Sequence, residues 1–159
     1  MGKSKKSNSD SNLITKNRRA FHEYNILESY NAGIVLTGTE IKSIREGKVN
    51  LTDSYVKVDK GEAWLINSHI SPYDKGNRYN HQIDRPRKLL LNKAEIRKIV
   101  SKTRESSLTV VPLKMYFSGG WAKVEISLAK GKQLHDKRQS LTEKTTKREI
   151  ERVIKSNYR

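Results

Sequence analysis

Few residues in this sequence have side chains suited to catalysis. Four histidines are the candidates for acid–base chemistry or metal binding: His22, His69, His81 and His135. His22 precedes Glu23 and His135 precedes Asp136, but adjacent side chains point to different sides of a strand or helix, so neither pair is an acid–base couple. The chain has no cysteine, no zinc-type histidine spacing, no nucleophile elbow and no phosphate-binding loop. We therefore expect no catalytic residue, metal or cofactor, with a metal-independent nuclease as the alternative.

Positive charge is the strongest chemical signal in the sequence. The 159 residues contain 33 Lys and Arg against 17 Asp and Glu, a formal net charge of +16. Such a surface attracts polyanions, so nucleic acid is the leading partner. An anionic membrane surface is the second candidate, although no apolar stretch approaches the roughly 20 residues that a membrane span needs. Because the N-terminus lacks a signal-peptide pattern and the chain lacks cysteine, we expect a cytoplasmic protein.

The cations gather in three places within the body of the chain. Residues 17–24 interleave Arg with Phe, His and Tyr, which suits phosphates and unpaired bases. Three cations at a spacing of three line one edge of a predicted helix: Lys42, Arg45 and Lys48. Residues 85–88 add a third basic patch before three leucines. Together these groups favour recognition of a folded RNA through its shape and backbone.

Strand patterns dominate the elements that must position these cations. They occur at 24–29, 34–37, 54–58, 63–66, 108–117 and 121–128. Asn31-Ala32-Gly33 separates the first two, and two glycine-containing turns, 59–61 and 118–120, predict hairpins from the last four. Alternation in the final strand predicts one buried face, formed by Val124, Ile126 and Leu128.

Two short helices interrupt the strands. The first is predicted to be capped by Thr39 and to end at Gly47, and the second to be capped by Asn92 with Glu95 at its third position. Residues 71–86 have no clear period and predict a mobile surface loop. This pattern predicts a mainly β fold, a small antiparallel OB-like β-barrel over residues 17–130 with flanking short helices. An open sheet with helices on one face is the alternative.

The two ends differ from this body. Residues 1–16 are mostly Lys, Ser and Asn and predict a disordered basic arm. Residues 131–159 favour helix without one apolar stripe, although four cations fall within about 40° of one another at the helical period: Lys137, Lys144, Arg148 and Lys155. We expect this basic tail to be disordered when free and helical against a polyanion.

Five motifs, in order along nearly the whole chain from about Asn17, resemble those of the SmpB (SsrA-binding protein) family. They are Gly38–Lys48, Asp53–Val56, His69–Tyr73, Arg87–Leu91 and Ala129–Arg138. The resemblance implies a monomeric RNA-binding adaptor with an OB-like barrel, not an enzyme. Such an adaptor binds the tRNA-like domain of transfer-messenger RNA and delivers it to stalled ribosomes. Its tail then occupies the decoding centre and the empty mRNA channel, and the nascent chain is tagged for degradation.

The resemblance also implies which residues act. Those expected to bind RNA are Asn17, Arg19, His22, Asn31, Glu40, Lys42, Arg45, Lys88, Leu90 and Lys123. Those expected in the decoding centre are Gly131, Lys132, His135, Asp136, Lys137 and Arg138. The family often carries Glu at the position of Asn31, whose amide keeps an acceptor but has no charge. A general basic RNA- or ribosome-binding protein without a particular RNA is the second hypothesis, and an RNA-processing enzyme the third.

Overall fold

The computed structural model describes residues 12–157, where the chain forms nine strands, four α-helices and one 3₁₀ turn at Asn77–Tyr79. The strands are β1 (Leu13–Lys16), β2 (Tyr24–Ile34), β3 (Val49–Asn50), β4 (Tyr55–Asp59), β5 (Glu62–Ile66), β6 (His69–Ile70), β7 (Arg87–Leu90), β8 (Thr109–Ser118) and β9 (Trp121–Gly131). The helices are α1 (Arg18–Glu23), α2 (Gly38–Arg45), α3 (Lys93–Ser106) and α4 (Leu134–Asn157). None of these helices is long and apolar enough to cross a membrane.

Seven strands form one antiparallel sheet in the order β1-β8-β9-β2-β7-β5-β4, and β3 pairs with β6 separately. The predicted mainly β fold with an antiparallel sheet is confirmed, but a closed barrel is wrong for residues 12–157. Strand β4 lies beside β8 without forming a ladder with it. The outer edge of β8 at Lys114–Tyr116 is already paired with β1, and Pro112 has no N–H to donate to another strand.

The core lies under the long strands β2, β8 and β9. The predicted buried face of β9 is confirmed, because Val124, Ile126 and Leu128 are at most 1% exposed. Side chains from the neighbouring elements complete this core, among them Ile44, Leu65, Leu89, Ile99 and Met115. Each such side chain contributes about 1.5–3 kcal/mol when it leaves water, so the sheet is a rigid platform for the residues on its outer face.

Two boundaries in the N-terminal half differ from the sequence predictions. The break predicted at residues 31–33 is wrong, since β2 runs unbroken and pairs with β9 through Gly33. The disordered arm predicted for residues 1–16 is wrong for Leu13–Lys16, which pair with β8 as β1. Residues 1–11 of that arm lie outside the described residues. Long-range pairing of this kind overrides local turn and composition signals.

Helix caps are partly as predicted. Helix α3 begins after Asn92, whose backbone N–H donates to the Glu95 carboxylate at 3.0 Å, so this capping box is confirmed. Helix α2 begins after Thr37 rather than Thr39, because the Glu40 carboxylate accepts the Thr37 N–H at 2.8 Å. The C-terminal segment forms the 24-residue helix α4, and its predicted disorder in the free protein stays a prediction.

Candidate nucleic-acid interface

A row of side chains crosses four strands on the outer face of the sheet. Tyr116 of β8 lies opposite Lys123 of β9, which lies opposite Gly33 of β2, which in turn lies opposite Leu90 of β7. Leu90 is 56% exposed although it is apolar. A Cβ on Gly33 would lie 3.3 Å from the Leu90 Cβ, so the glycine leaves room for that leucine. The fold thus places a cation, an aromatic ring and an exposed leucine on one surface, which we call the sheet face.

A second row on the sheet face surrounds Asn31. The Tyr116 hydroxyl donates a hydrogen bond to the Asn31 amide oxygen at 2.8 Å. Glu125, which lies opposite Asn31, forms an ion pair with Lys114 at 2.9 Å. Burial raises the pKa of Tyr116, and the nearby Glu125 carboxylate raises it further, so this hydroxyl stays protonated and remains a donor at neutral pH. Asn31 therefore fills the acceptor position without the charge of a carboxylate.

A cleft of about 500 Å³ opens beside Asn31, between the sheet and the N-terminal elements. Its walls include Lys16 of β1, Phe21 of α1 and Tyr116 of β8. The Lys16 ammonium lies 4.8 Å from the centre of the Phe21 ring. Aromatic rings and cations that line an open cleft next to exposed amide groups suit an unpaired base and its phosphate.

Three further predicted cations lie on β7 and α2. Lys88 is two residues before Leu90 on β7, and its ammonium pairs with Glu62 at 2.5 Å. Lys42 and Arg45 are both exposed on α2, and the Lys42 ammonium lies 5.3 Å from the centre of the Tyr73 ring. None of these side chains is buried, so each can exchange its present contact for a phosphate.

Helix α1 carries two more predicted RNA ligands. Arg19 is exposed and bridges two carboxylates, Glu23 at 2.8 Å and Asp53 at 2.8 Å. The hydrogen bond to Glu23 and the charge of Asp53 raise the pKa of Arg19, which therefore keeps its charge at any physiological pH. His22 is half-buried at the end of the same helix. Among residues 12–157 no group of three acidic or histidine side chains could hold a metal ion.

Comparison with known proteins identifies the family to which this chain belongs. The family model described as SmpB protein matches residues 14–156. The chain belongs to the SmpB family. A SsrA-binding protein from Carboxydothermus hydrogenoformans is 55% identical over 146 residues, which cover 92% of this chain and 98% of that protein. One from Desulforudis audaxviator is 54% identical over 142 residues, with coverage of 89% and 93%.

A solved structure supports the same assignment. The chain resembles one in the structure described as "tmRNA-SmpB: a journey to the center of the bacterial ribosome", with a TM-score of 0.64 and 50% sequence identity. The match covers 76% of this chain and 85% of that chain. The SmpB-family assignment therefore rests on both the sequence and the fold.

The structure places the predicted RNA ligand Asn17 of this SmpB-family chain in the protein interior. Its side chain is 5% exposed and is used entirely inside the protein. The amide nitrogen donates to the carbonyls of Leu51 at 3.1 Å and Pro112 at 3.0 Å, and the amide oxygen caps α1 by accepting the Ala20 N–H. Direct RNA contact by Asn17 stays a prediction, and in this structure its polar atoms are paired within the protein. The residue holds α1 in place against β8.

Glu40, another predicted RNA ligand, is also paired inside the protein. It is fully buried and accepts hydrogen bonds from Arg85 at 2.8 and 2.6 Å and from Arg87 at 2.8 Å. Burial opposes its charge most strongly, but the hydrogen bonds from Arg85 and the Thr37 N–H, together with the Arg87 charge, still leave its pKa below the ordinary value. Arg87 is also fully buried and completes its bonds at Ser68, so it belongs to no surface patch. These side chains form a buried ion cluster, and RNA contact by Glu40 stays a prediction.

The tail residues begin where the sheet ends. Gly131 is the last residue of β9 and pairs with Tyr24. The Lys132 backbone N–H donates to the Glu23 carbonyl at 2.9 Å, and its ammonium donates to the Phe21 carbonyl at 3.4 Å. Lys132 thus ties the start of the tail to α1.

The remaining predicted tail residues lie in the first turn of α4. His135, Asp136 and Arg138 are exposed, and Lys137 is half-buried. The His135 ring nitrogen lies 3.9 Å from the Asp136 carboxylate, too far for a hydrogen bond, so the two do not form an acid–base couple. All four side chains therefore lie together at one end of a helix, next to α1.

Sequence reasoning missed Tyr116 and Lys114 on the sheet face. Both alternate along β8 with the buried Leu113 and Met115, so this part of the strand has one solvent-facing side and one buried side. That alternation was the available signal, since outward-facing positions at a spacing of two share a surface. Tyr116 and Lys114 lie near Asn31 only because β9 pairs with both β8 and β2. Sequence spacing does not specify that pairing.

Proposed function

We propose that this SmpB-family chain is an RNA-binding adaptor of trans-translation that works in the cytoplasm as a monomer and carries out no catalysis itself. It binds the tRNA-like domain of transfer-messenger RNA and delivers this RNA to stalled ribosomes. Its tail then occupies the decoding centre and the empty mRNA channel, which rescues the ribosome and lets the nascent chain be tagged for degradation. The observation that carries the proposal is the sheet face, with Asn31, Leu90 and Lys123 brought together on one surface.

The sheet face is the RNA-binding part of the proposal. Lys123 and Lys88 neutralise phosphates, while the exposed Leu90 packs against a sugar or base that would otherwise stay in water. Tyr116 orients the Asn31 amide, so its oxygen is already partly satisfied and its nitrogen faces the ligand. Arg19, His22, Lys42 and Arg45 extend the positive surface around this centre. Asn17 and Glu40 act indirectly, by positioning α1 and α2.

The tail is the ribosomal part of the proposal. His135 offers a ring to stack on a base, and Lys137 and Arg138 offer phosphate contacts, bidentate for the guanidinium. Gly131 ends the sheet, and Lys132 fixes where α4 leaves it. Four cations on one side of α4 then follow the RNA that lines the channel.

The first test of this proposal measures RNA binding. The purified chain should bind the tRNA-like domain in preference to an ordinary tRNA, and the preference should persist as salt rises. Leu90→Ala with Lys123→Ala should weaken that binding at least tenfold, whereas Arg104→Ala, which removes an exposed cation from α3, should not. Equal binding to both RNAs, lost together at moderate salt, would indicate a general basic RNA-binding protein. Loss of intact RNA during incubation would indicate an enzyme.

The second test separates the tail from the sheet face. Deletion after Gln133 keeps all of β9 and the Lys132 tie, so RNA affinity should be unchanged while tagging on stalled ribosomes is lost. The triple variant Asp136→Ala, Lys137→Ala and Arg138→Ala should behave in the same way. A matched control changes Lys147, Glu149 and Arg152 to Ala, which removes the same charges further along α4 but none of the four aligned cations, and it should tag at the normal rate. If the first triple variant tags at the normal rate, the assigned tail roles are wrong.

A further inference from the structure

The loop of residues 71–86 is attached to α2 along its length. Near its end, Arg85 donates two hydrogen bonds to the buried Glu40. In its middle, a His81 ring nitrogen lies 2.9 Å from the Thr39 hydroxyl. At its start, the Ser43 hydroxyl donates to the Ser71 carbonyl at 2.6 Å. The loop is therefore built onto the helix as a fixed projection.

The apex of this loop is closed by one side chain. The Asn80 amide oxygen accepts the Tyr73 N–H at 2.8 Å, and its nitrogen donates to the Tyr73 carbonyl at 2.8 Å. Gly76 lies against this clasp, because a Cβ there would be 2.7 Å from the Asn80 amide nitrogen. Only glycine fits while the clasp is closed. The residues between Tyr73 and Asn80 are thus held in one conformation.

The closed apex presents an aromatic ring and two cations to solvent. Tyr79 is 75% exposed, and no element of residues 12–157 covers its ring. The Arg78 guanidinium lies 5.2 Å from the centre of that ring and donates to the Tyr79 hydroxyl at 3.2 Å. Lys75 and Arg78 are exposed and have no carboxylate partner among the described residues. A turn that exposes an aromatic ring together with two cations lacking a carboxylate partner among the described residues has the form of a stacking platform.

We infer that the apex of the 71–86 loop is a second RNA contact, in which the Tyr79 ring stacks on an unpaired base while Arg78 and Lys75 neutralise the adjacent phosphates. The inference rests on the proposed function, because the base belongs to the same RNA that occupies the sheet face. Neither Tyr79, Arg78 nor Lys75 is needed for the sheet-face contacts described above.

Continuity with the sheet face identifies this RNA as the occupant. The loop leads directly into β7, which carries Lys88 and Leu90 on the sheet face. On its other side the loop contacts α2 through Lys42 and Tyr73, so the exposed cations of that helix lie next to it. A folded RNA that covers the sheet face can therefore reach the apex past the cations of α2, and of the two exposed carboxylates in the loop, Asp74 is neutralised by Lys48 and Asp84 lies near His69. Acidic protein surfaces would satisfy the cations but leave the ring unstacked.

Affinity for the tRNA-like domain tests the stacking. Tyr79→Ala should weaken binding by about fivefold or more, the lower end of what base–aromatic stacking contributes. Tyr79→Phe keeps the ring and should bind as the unchanged protein does. Arg78→Ala should weaken binding and reduce the slope of log affinity against log salt by about one. Arg104→Ala is the charge-matched control and should leave affinity within about twofold.

A chemical footprint identifies the source of the base. One nucleotide of the tRNA-like domain should be protected by the unchanged protein and become reactive again with Tyr79→Ala. Normal affinity and an unchanged footprint for Tyr79→Ala would overturn the inference, as would a loss confined to binding of ribosomes that lack transfer-messenger RNA. If Leu90→Ala with Lys123→Ala still lowers RNA affinity in that case, the proposed function stands and only the second contact fails. If the unchanged protein shows no preference for the tRNA-like domain, both fail.

Discussion

Replacing Glu40 by Gln should destabilise the fold without removing an RNA ligand. The carboxylate is fully buried between two guanidinium groups, of which Arg87 is also fully buried and Arg85 is 27% exposed in its side chain. Gln keeps the shape and one acceptor but leaves both cations without a counter-charge. Removing one partner of a buried ion pair costs about 3–5 kcal/mol. That is a large part of the roughly 5–15 kcal/mol that stabilises a typical domain.

The assay is thermal unfolding, followed by RNA binding at a temperature where the variant is folded. The cost above corresponds to a fall in Tm of about 10 °C for a domain of this size. The affinity of folded Glu40→Gln for the tRNA-like domain should then be within about threefold of that of the unchanged protein, since the Glu40 side chain is fully buried. Glu62→Gln is the matched control, because its pair with Lys88 is exposed and exposed pairs contribute less than about 1 kcal/mol. An unchanged Tm together with a tenfold loss of RNA affinity would refute the structural role.

Three further predictions follow from other contacts. Asn17→Ala removes the cap of α1 and two buried hydrogen bonds, to the carbonyls of Leu51 and Pro112, so chemical denaturation should show a loss of about 2 kcal/mol or more. Two lysines of α3 hydrogen-bond Glu28 and lower its pKa to about 2 from an ordinary 4.5. The contribution of the Glu28 carboxylate to stability is therefore complete above pH 4.5 and disappears as pH falls toward 2. The Tm curves of the unchanged protein and Glu28→Gln should accordingly converge near pH 2, and curves that stay parallel would contradict this. Gly76→Ala should open the Asn80 clasp and weaken RNA binding to the extent that Tyr79→Ala does, with Gly38→Ala, where a Cβ meets nothing within 4 Å, as the neutral control.

Local signals predicted the elements that depend on local chemistry. The capping box of α3 needs only Asn92 and Glu95, three residues apart, and the sequence shows both. The two hairpins depend on turns at 59–61 and 118–120, where glycines adopt positive φ. In each case the deciding residues are neighbours in the chain, so spacing alone is enough.

Elements that depend on distant partners were predicted poorly. Residues 31–33 have the composition of a turn, but pairing with β9 keeps them extended. Glu40 was assigned to RNA binding although its partners are Arg85 and Arg87, more than 40 residues later in the chain. Composition cannot distinguish a carboxylate that faces RNA from one that neutralises buried arginines. The sheet-face residues were named only through the family resemblance, and their common surface depends on the register of four strands.

Helix formation in α4 sets how far the end of the chain extends from the sheet. Its 24 residues rise about 1.5 Å each as a helix, a length of about 36 Å. The same residues fully extended span roughly 80 Å. Because Lys132 ties the start of the tail to α1, the helix is a rod of defined length that begins at a fixed point. The number of residues in the helix therefore sets the distance between the sheet and the far end of α4 at Asn157.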